Sequence, residues 1–172
     1  GYRLSSPEVL ERRVIFEPAG ALAEAAAAYG HNLLSLDADG PVRHVVPFVR
    51  SGDRAMPSLG MSAALRAGHI DPASVRVDGT LLRAGDRAIP LERRQLNTSE
   101  GRTSYLWGLI NFRGGAFLPD MKNRPYPHYS FFDLLYSAEQ LLAKQKPDID
   151  PSVFRDKIVF VGTTALGTRE VV

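Results

Sequence analysis

The sequence predicts an α/β domain: a mixed, mostly parallel sheet with flanking helices and a small antiparallel meander. A β-branched and aromatic run at residues 13–16 leads into a helical pattern that begins at Pro18, which is the first half of an α/β unit. Residues 31–47, which we call the ribbon, carry long apolar runs typical of strands buried on both faces. Residues 157–161 (KIVFV) have the same buried-strand pattern.

Length and composition are those of one globular domain spanning residues 1–172, with 44% hydrophobic and 23% charged side chains. The absence of cysteine excludes disulfides and thiolate metal sites. A net charge of +2, without a long run of one sign, does not favour nucleic-acid binding. No apolar run reaches the roughly 18 residues of a membrane-spanning helix. Because the sequence opens without methionine, we expect a truncated piece of a longer protein.

The ribbon predicts two strands joined by a tight turn. Apolar residues at 33–36 fill the first strand, and those at 42–49 fill the return strand. Asp37 and Asp39 bracket the turn, and Gly40 closes it because glycine adopts positive φ without strain. The ribbon is therefore expected to form part of the central sheet.

The remaining elements follow from periodicity and from turn residues. In order, they are a helix from Pro57 to Gly68, a meander over 75–91 that turns at Asp78-Gly79, a polar loop over 92–104, a strand over 105–112, a long loop over 114–129, a helix that begins at Ser130, and the strand over 157–161.

The two aspartates of the ribbon have the spacing that opens a calcium-binding loop. The later ligand positions would be Pro41, Val45 and Phe48, and none of these supplies a side-chain oxygen, so an EF-hand is excluded. A structural turn is favoured over a catalytic carboxylate pair, because aspartate side chains bond their own backbone in such turns.

Polar residues after two apolar strands are the candidate ligand site. Asn111 and Arg113 follow one strand, and Thr163 and Thr164 follow the other. In a parallel sheet the carboxyl ends of strands share one edge, where ligands commonly bind. Arg113, and equally Arg43 in the ribbon, could hold a carboxylate or phosphate, or could form a structural ion pair with the turn aspartates. The threonines could equally lie in a plain strand-ending turn.

No other motif indicates chemistry. The histidines lack the spacing of a zinc site, and nucleotide-binding and hydrolase motifs are absent, so we predict no catalytic residue, no metal and no cofactor. The four histidines are His31, His44, His69 and His128.

Several motifs in a fixed order resemble the CHASE2 domain, a bacterial extracytoplasmic sensor module, over about residues 30–167. They are HNLLSLDADGPVRHVVPF in the ribbon, Pro57-Ser58-Leu59, Ala88-Ile89-Pro90-Leu91, LINFRG at 109–114, YSFFDLL at 129–135 and DKIVFVGTTA at 156–165.

The resemblance implies a non-catalytic sensory module on the periplasmic or extracellular side, joined to the membrane by flanking segments. Its output domain would be a nucleotide cyclase, a kinase, or a diguanylate cyclase or phosphodiesterase. An unknown small molecule or envelope component would be the ligand. The family usually carries a further strand-helix portion upstream, and often an aspartate and a Thr-Pro after the Gly-Thr-Thr-Ala turn, and we expect both features to be missing here. Either an exposed edge strand or completion of the fold by segments outside this chain would then favour association as a homodimer.

Two further functions stay open from the residues. One is an interaction or dimerisation module of the same receptor without a small-molecule pocket. The other is an enzyme that uses the aspartates and threonines.

Overall fold

The computed structural model describes residues 2–13, 18–98, 101–114 and 126–162. The chain divides into two compact units, Gly1–Asn111 and Phe112–Val172. The strands of the first unit are β1 Leu10–Glu11, β2 His44–Val45, β3 Phe48–Ser51, β4 Arg54–Pro57, β5 Arg76–Asp78, β6 Leu81–Ala84, β7 Arg87–Pro90, β8 Glu92–Thr98 and β9 Gly101–Leu109. Its helices are α1 Gly20–Ala25, α2 Leu59–Ala67 and the 3-10 helix Pro72–Ser74. The second unit contains α3 Phe131–Leu142 and the 3-10 helix Pro151–Phe154.

The prediction of a mostly parallel sheet is wrong. The described strands form three small sheets in the orders β1-β3-β4, β2-β9-β8 and β5-β6-β7. Among them only β1 and β3 pair in parallel, and the other five pairs are antiparallel. The meander expected at 75–91 is present as β5, β6 and β7.

The ribbon does not form two long strands because its return segment changes sheets. Val45 in β2 pairs with Gly108 of β9, whereas Phe48 in β3 pairs with Pro57 of β4. Pro47 lies between β2 and β3, and proline has no N–H to continue a ladder. The apolar residues at 33–36 lie outside the strands.

The polar loop predicted at 92–104 is instead the longest hairpin of the described chain, β8 with β9. Its pairing runs from Glu92 opposite Trp107 to Thr98 opposite Gly101. Composition hides this strand because most side chains of β8 are exposed and polar. Backbone hydrogen bonds pair β8 with β9 along this whole length.

The core of the first unit consists of two apolar clusters, and β3 and β9 contribute to both. Phe48 and Leu106 belong to the larger cluster, and Val49 and Tyr105 belong to the smaller one. Adjacent residues of a strand point to opposite faces, so each of these strands presents a core side chain on either face. The smaller cluster is the floor of the site described below.

In the second unit, α3 is the helix expected after Ser130. Its apolar residues are largely exposed, including Phe132 at 73% and Leu142 at 86%. The buried strand predicted at 157–161 is wrong, since these residues pair with no described strand and are exposed. An apolar run forms a strand only where a neighbouring strand supplies hydrogen-bond partners.

The ribbon approaches the start of α2 so closely that only glycine fits at its entrance. The His31 N–H donates to Pro57 O at 2.9 Å, and the Leu59 N–H donates to His31 O at 2.9 Å. A Cβ at Gly30 would lie 2.7 Å from the Leu59 nitrogen, which is shorter than any ordinary contact. The absence of a side chain at Gly30 therefore lets these two segments bond.

We predict that Gly30→Ala lowers the free energy of unfolding by about 1–3 kcal/mol, because backbone must move to admit the methyl group. Gly60→Ala is the matched control. Gly60 lies within α2 with nothing near its missing Cβ, so alanine should stabilise by about 0.5–1 kcal/mol. Urea denaturation measures both changes, and equal effects would contradict the proposed close approach.

Candidate functional site

The turn of the ribbon is closed by two backbone hydrogen bonds. The Asp37 N–H donates to Pro41 O at 3.0 Å, and the Gly40 N–H donates to Asp37 O at 2.9 Å. Gly40 has a φ of 100°, which side chains rarely adopt. The turn thus holds its two aspartates in fixed positions.

The side chain of Asp37 joins the turn to β2. It is only 9% exposed. Its Oδ2 accepts the backbone N–H of Arg43 at 3.1 Å, and its Oδ1 lies 2.8 Å from Nδ1 of His44. A carboxylate so poorly exposed needs such donors to offset its lost hydration.

Asp39 instead pairs with Arg43 at the surface. Two guanidinium nitrogens of Arg43 donate to the two carboxylate oxygens at 2.7 and 2.8 Å. These hydrogen bonds lower the pKa of Asp39 below its usual value. In this geometry Arg43, one of the candidate ligand residues, is occupied by the turn.

His44 lies between two carboxylates and against the only tryptophan. Its ring is stacked on Trp107 with centroids 3.9 Å apart and an interplanar angle of 11°. Its Nε2 is 3.6 Å from Oε2 of Glu92, on the side of the ring away from Asp37. The guanidinium of Arg94 also lies over Trp107, 4.2 Å from the ring centroid. Four elements therefore meet at one imidazole: the turn, β2, β8 and β9.

A second attachment holds the first half of the ribbon. The Ser35 hydroxyl accepts a hydrogen bond of 2.7 Å from Nη1 of Arg94. It also lies 3.3 Å from the Tyr105 hydroxyl. Tyr105 in turn meets Trp107 edge-on, with centroids 6.3 Å apart. The ribbon is thus bound to the β8–β9 hairpin at Ser35 and at β2, where His44 stacks on Trp107 and the strand pairs with β9.

A cavity of about 100 Å³ adjoins the second attachment. Its polar groups are Arg12, Ser35 and Tyr105. Its apolar walls are Leu10, Leu33, Leu34, Val46 and Leu96. Its lining, mostly apolar with a few convergent polar groups, is that of a small-molecule site, but its volume is well below the roughly 300 Å³ at which typical sites begin.

The site predicted at the strand ends assumed parallel strands whose carboxyl ends share one edge. The described sheets are mostly antiparallel, so this assumption fails. Asn111 is exposed at the end of the first unit, and Arg113 is exposed near the start of the second. Thr163 and Thr164 lie outside the described residues. A role of these four residues in ligand binding stays a prediction.

The sequence analysis did not place Glu92 and Arg94 in the site. It predicted a polar loop over 92–104, and a loop does not indicate which side chains point the same way. It also missed His44 and Trp107 as a pair, since nothing in their spacing shows that β2 lies beside β9. The sequence did contain one signal for a hairpin. The turn-forming residues Ser99-Glu100-Gly101 lie between Leu96 and Thr98 on one side and Thr103 on the other, and these three are residue types found in strands.

His31, at the start of the ribbon, is a partly buried titratable group. Its Nδ1 accepts the Leu33 N–H at 3.2 Å, so the neutral ring carries its proton on Nε2. That Nε2 is buried, and within the described chain it makes no hydrogen bond of good geometry. Burial lowers the pKa of His31, and the Val46 carbonyl offsets part of this effect.

The chain matches one protein-family model. That model is the CHASE2 domain, and the match covers residues 4–172. No curated protein and no solved structure matches the chain. In the described ranges, no helix is long and apolar enough to cross a membrane, and no group of three histidine, aspartate or glutamate side chains is placed to hold a metal ion.

We predict that His31 makes the fold less stable in acid. Its pKa is lower in the folded chain, so the unfolded chain binds more protons between the two pKa values, and stability falls as pH drops from about 6.5 toward the folded value. Urea midpoints of the chain and of His31→Gln, measured from pH 8 to pH 5, report this term. The acid-induced loss should be smaller in His31→Gln, and an equal loss would contradict the assignment.

Proposed function

The chain belongs to the CHASE2 family of extracellular sensor domains, and we propose that it is the sensory module of a membrane-bound signalling protein. In this proposal the domain lies in the periplasm or outside the cell, and flanking segments join it to the membrane. A stimulus there biases a cytoplasmic output domain such as a nucleotide cyclase or a kinase. The family match over nearly the whole chain is the observation that carries the proposal.

Sensing requires two states of the domain that differ in affinity for the stimulus. The ribbon is the element best suited to differ between them. It is attached to the β8–β9 hairpin by few contacts: the hydrogen bond from Arg94 to Ser35, the stack of His44 on Trp107, and the two-residue pairing of β2 with β9. A ligand that favours or breaks these contacts would shift the population of the two states.

The cavity beside Ser35 is the proposed ligand site. A cavity of about 150 Å³ holds one benzene molecule, so one of about 100 Å³ suits roughly four to six heavy atoms. Apolar walls favour a short alkyl chain, while Arg12 and the Ser35 hydroxyl favour a carboxylate at its end. The proposed ligand class is therefore a short aliphatic carboxylate.

We predict that sodium propionate binds the chain and that propionamide, its neutral isostere, binds more weakly. Arg12→Gln should lose affinity about tenfold, because a charge-assisted hydrogen bond is lost. Arg3→Gln is the matched control, since Arg3 is exposed and does not line the cavity. Isothermal titration calorimetry measures each affinity.

In the full-length protein, propionate should then change the output activity, and Arg12→Gln should weaken that response. Equal binding by the chain and Arg12→Gln would contradict the site. Binding without any change of output would contradict the sensory role while leaving the site intact.

A second candidate is an interaction or dimerisation module without a small-molecule ligand. It is favoured by the exposed apolar residues of α3, because large exposed apolar side chains often mark protein contacts. If the chain binds no carboxylate but dimerises at micromolar concentration in analytical ultracentrifugation, this candidate replaces the first.

A further inference from the structure

We infer that His44 is a proton-binding site that clamps the ribbon to the β8–β9 hairpin when its ring is charged. The inference concerns a different group from the carboxylate cavity. Its use as a signal rests on the proposed sensory function, whereas the existence of the clamp does not.

The neutral His44 ring has one N–H, so it can donate a hydrogen bond to only one of the two neighbouring carboxylates. Because an ionised carboxylate only accepts hydrogen bonds, Nδ1 of His44 carries the proton that is donated to Asp37 at 2.8 Å. In that tautomer Nε2 carries a lone pair and no proton, and it lies 3.6 Å from Oε2 of Glu92. Two acceptors therefore oppose each other across this gap.

Protonation at Nε2 turns that opposition into an attraction. The charged ring donates to Asp37 through Nδ1 and faces Glu92 with an N–H on Nε2. The same charge lies over the face of Trp107, which attracts cations. One added proton thus adds a contact between His44 and Glu92 of β8 to the links that already exist through Asp37 and through the β2–β9 pairing.

The charges around the ring come from each element that packs against it. Asp37 is contributed by the turn, and Glu92 and Arg94 are contributed by β8. Arg94 opposes a second cation because it lies over the same indole, but its Nη1 is bonded to Ser35. Arg43, the neighbour of His44 in the chain, has its charge balanced by Asp39.

The sign of the effect follows from this arrangement. Histidine changes its charge between about pH 5 and pH 8, within the range that an extracellular domain meets. The clamp is complete in acid and loses its Glu92 contact as the pH rises. In an otherwise sensory domain, this would let the pH of the medium bias the position of the ribbon.

The single tryptophan makes the clamp directly measurable. Trp107 is the only tryptophan of the chain, and a charged imidazole quenches a stacked indole more strongly than a neutral one. Fluorescence of the 172-residue chain, recorded from pH 8 to pH 5, should fall in one transition. His44→Gln should abolish the transition, whereas the control His128→Gln should keep it.

Glu92→Gln tests the clamp without depending on a large change of fold, because the Glu92 side chain is 64% exposed. Its transition should move to lower pH, because the variant lacks the carboxylate that attracts the charged ring. Circular dichroism at each pH confirms that the chain stays folded.

The clamp is overturned if the chain shows no transition, if His44→Gln retains it, or if Glu92→Gln leaves its midpoint unchanged. A clamp that titrates while the output of the full-length protein ignores pH would refute pH sensing alone. If propionate does not bind the chain, the carboxylate site is refuted, and the proposal for His44 is unaffected.

Discussion

The nearly buried carboxylate of Asp37 is the interaction on which the ribbon depends. It binds the Arg43 amide and the His44 ring together, so the turn, the start of β2 and the stack on Trp107 share one anchor. A carboxylate that is removed from water is strongly destabilising without its donors, which makes this arrangement close to all-or-none. Such an anchor can be broken by a small chemical change nearby.

Two histidines of the ribbon lie in opposite surroundings. His31 is partly buried, with its Nε2 out of contact with solvent, and this burial lowers its pKa, so charging it opposes the fold. His44 faces two carboxylates and an indole, so charging it adds contacts. The same segment therefore carries one histidine in an apolar setting and one between two carboxylates, near its two ends.

The sequence predicted the elements that depend on neighbouring residues in the chain. It did not predict those that depend on contacts between distant segments. The helices at α2 and α3 and the meander of β5–β7 follow from periodicity and from turns such as Asp78-Gly79. The change of sheet at Pro47 and the polar hairpin β8–β9 depend on which strand lies beside which, and composition does not carry that information. The parallel sheet was expected because apolar runs were read as buried on both faces, whereas Leu34 is 59% exposed.

The candidate site shows the same limit. Asp37, Asp39 and Arg43 lie close together in the chain, so sequence reasoning could nominate them jointly. Trp107, Glu92 and Arg94 reach His44 only through the pairing of β9 with its two neighbours, and the family resemblance names no binding residue.

Amide hydrogen exchange of the chain and of Asp37→Ala tests most directly whether the ribbon is an element held by this one anchor. The account predicts that the amides of Arg43 and Gly40 exchange much faster in the variant, while those of the β3–β4 ladder keep their protection. Unchanged protection at Arg43, or an equal loss throughout β3 and β4, would contradict it.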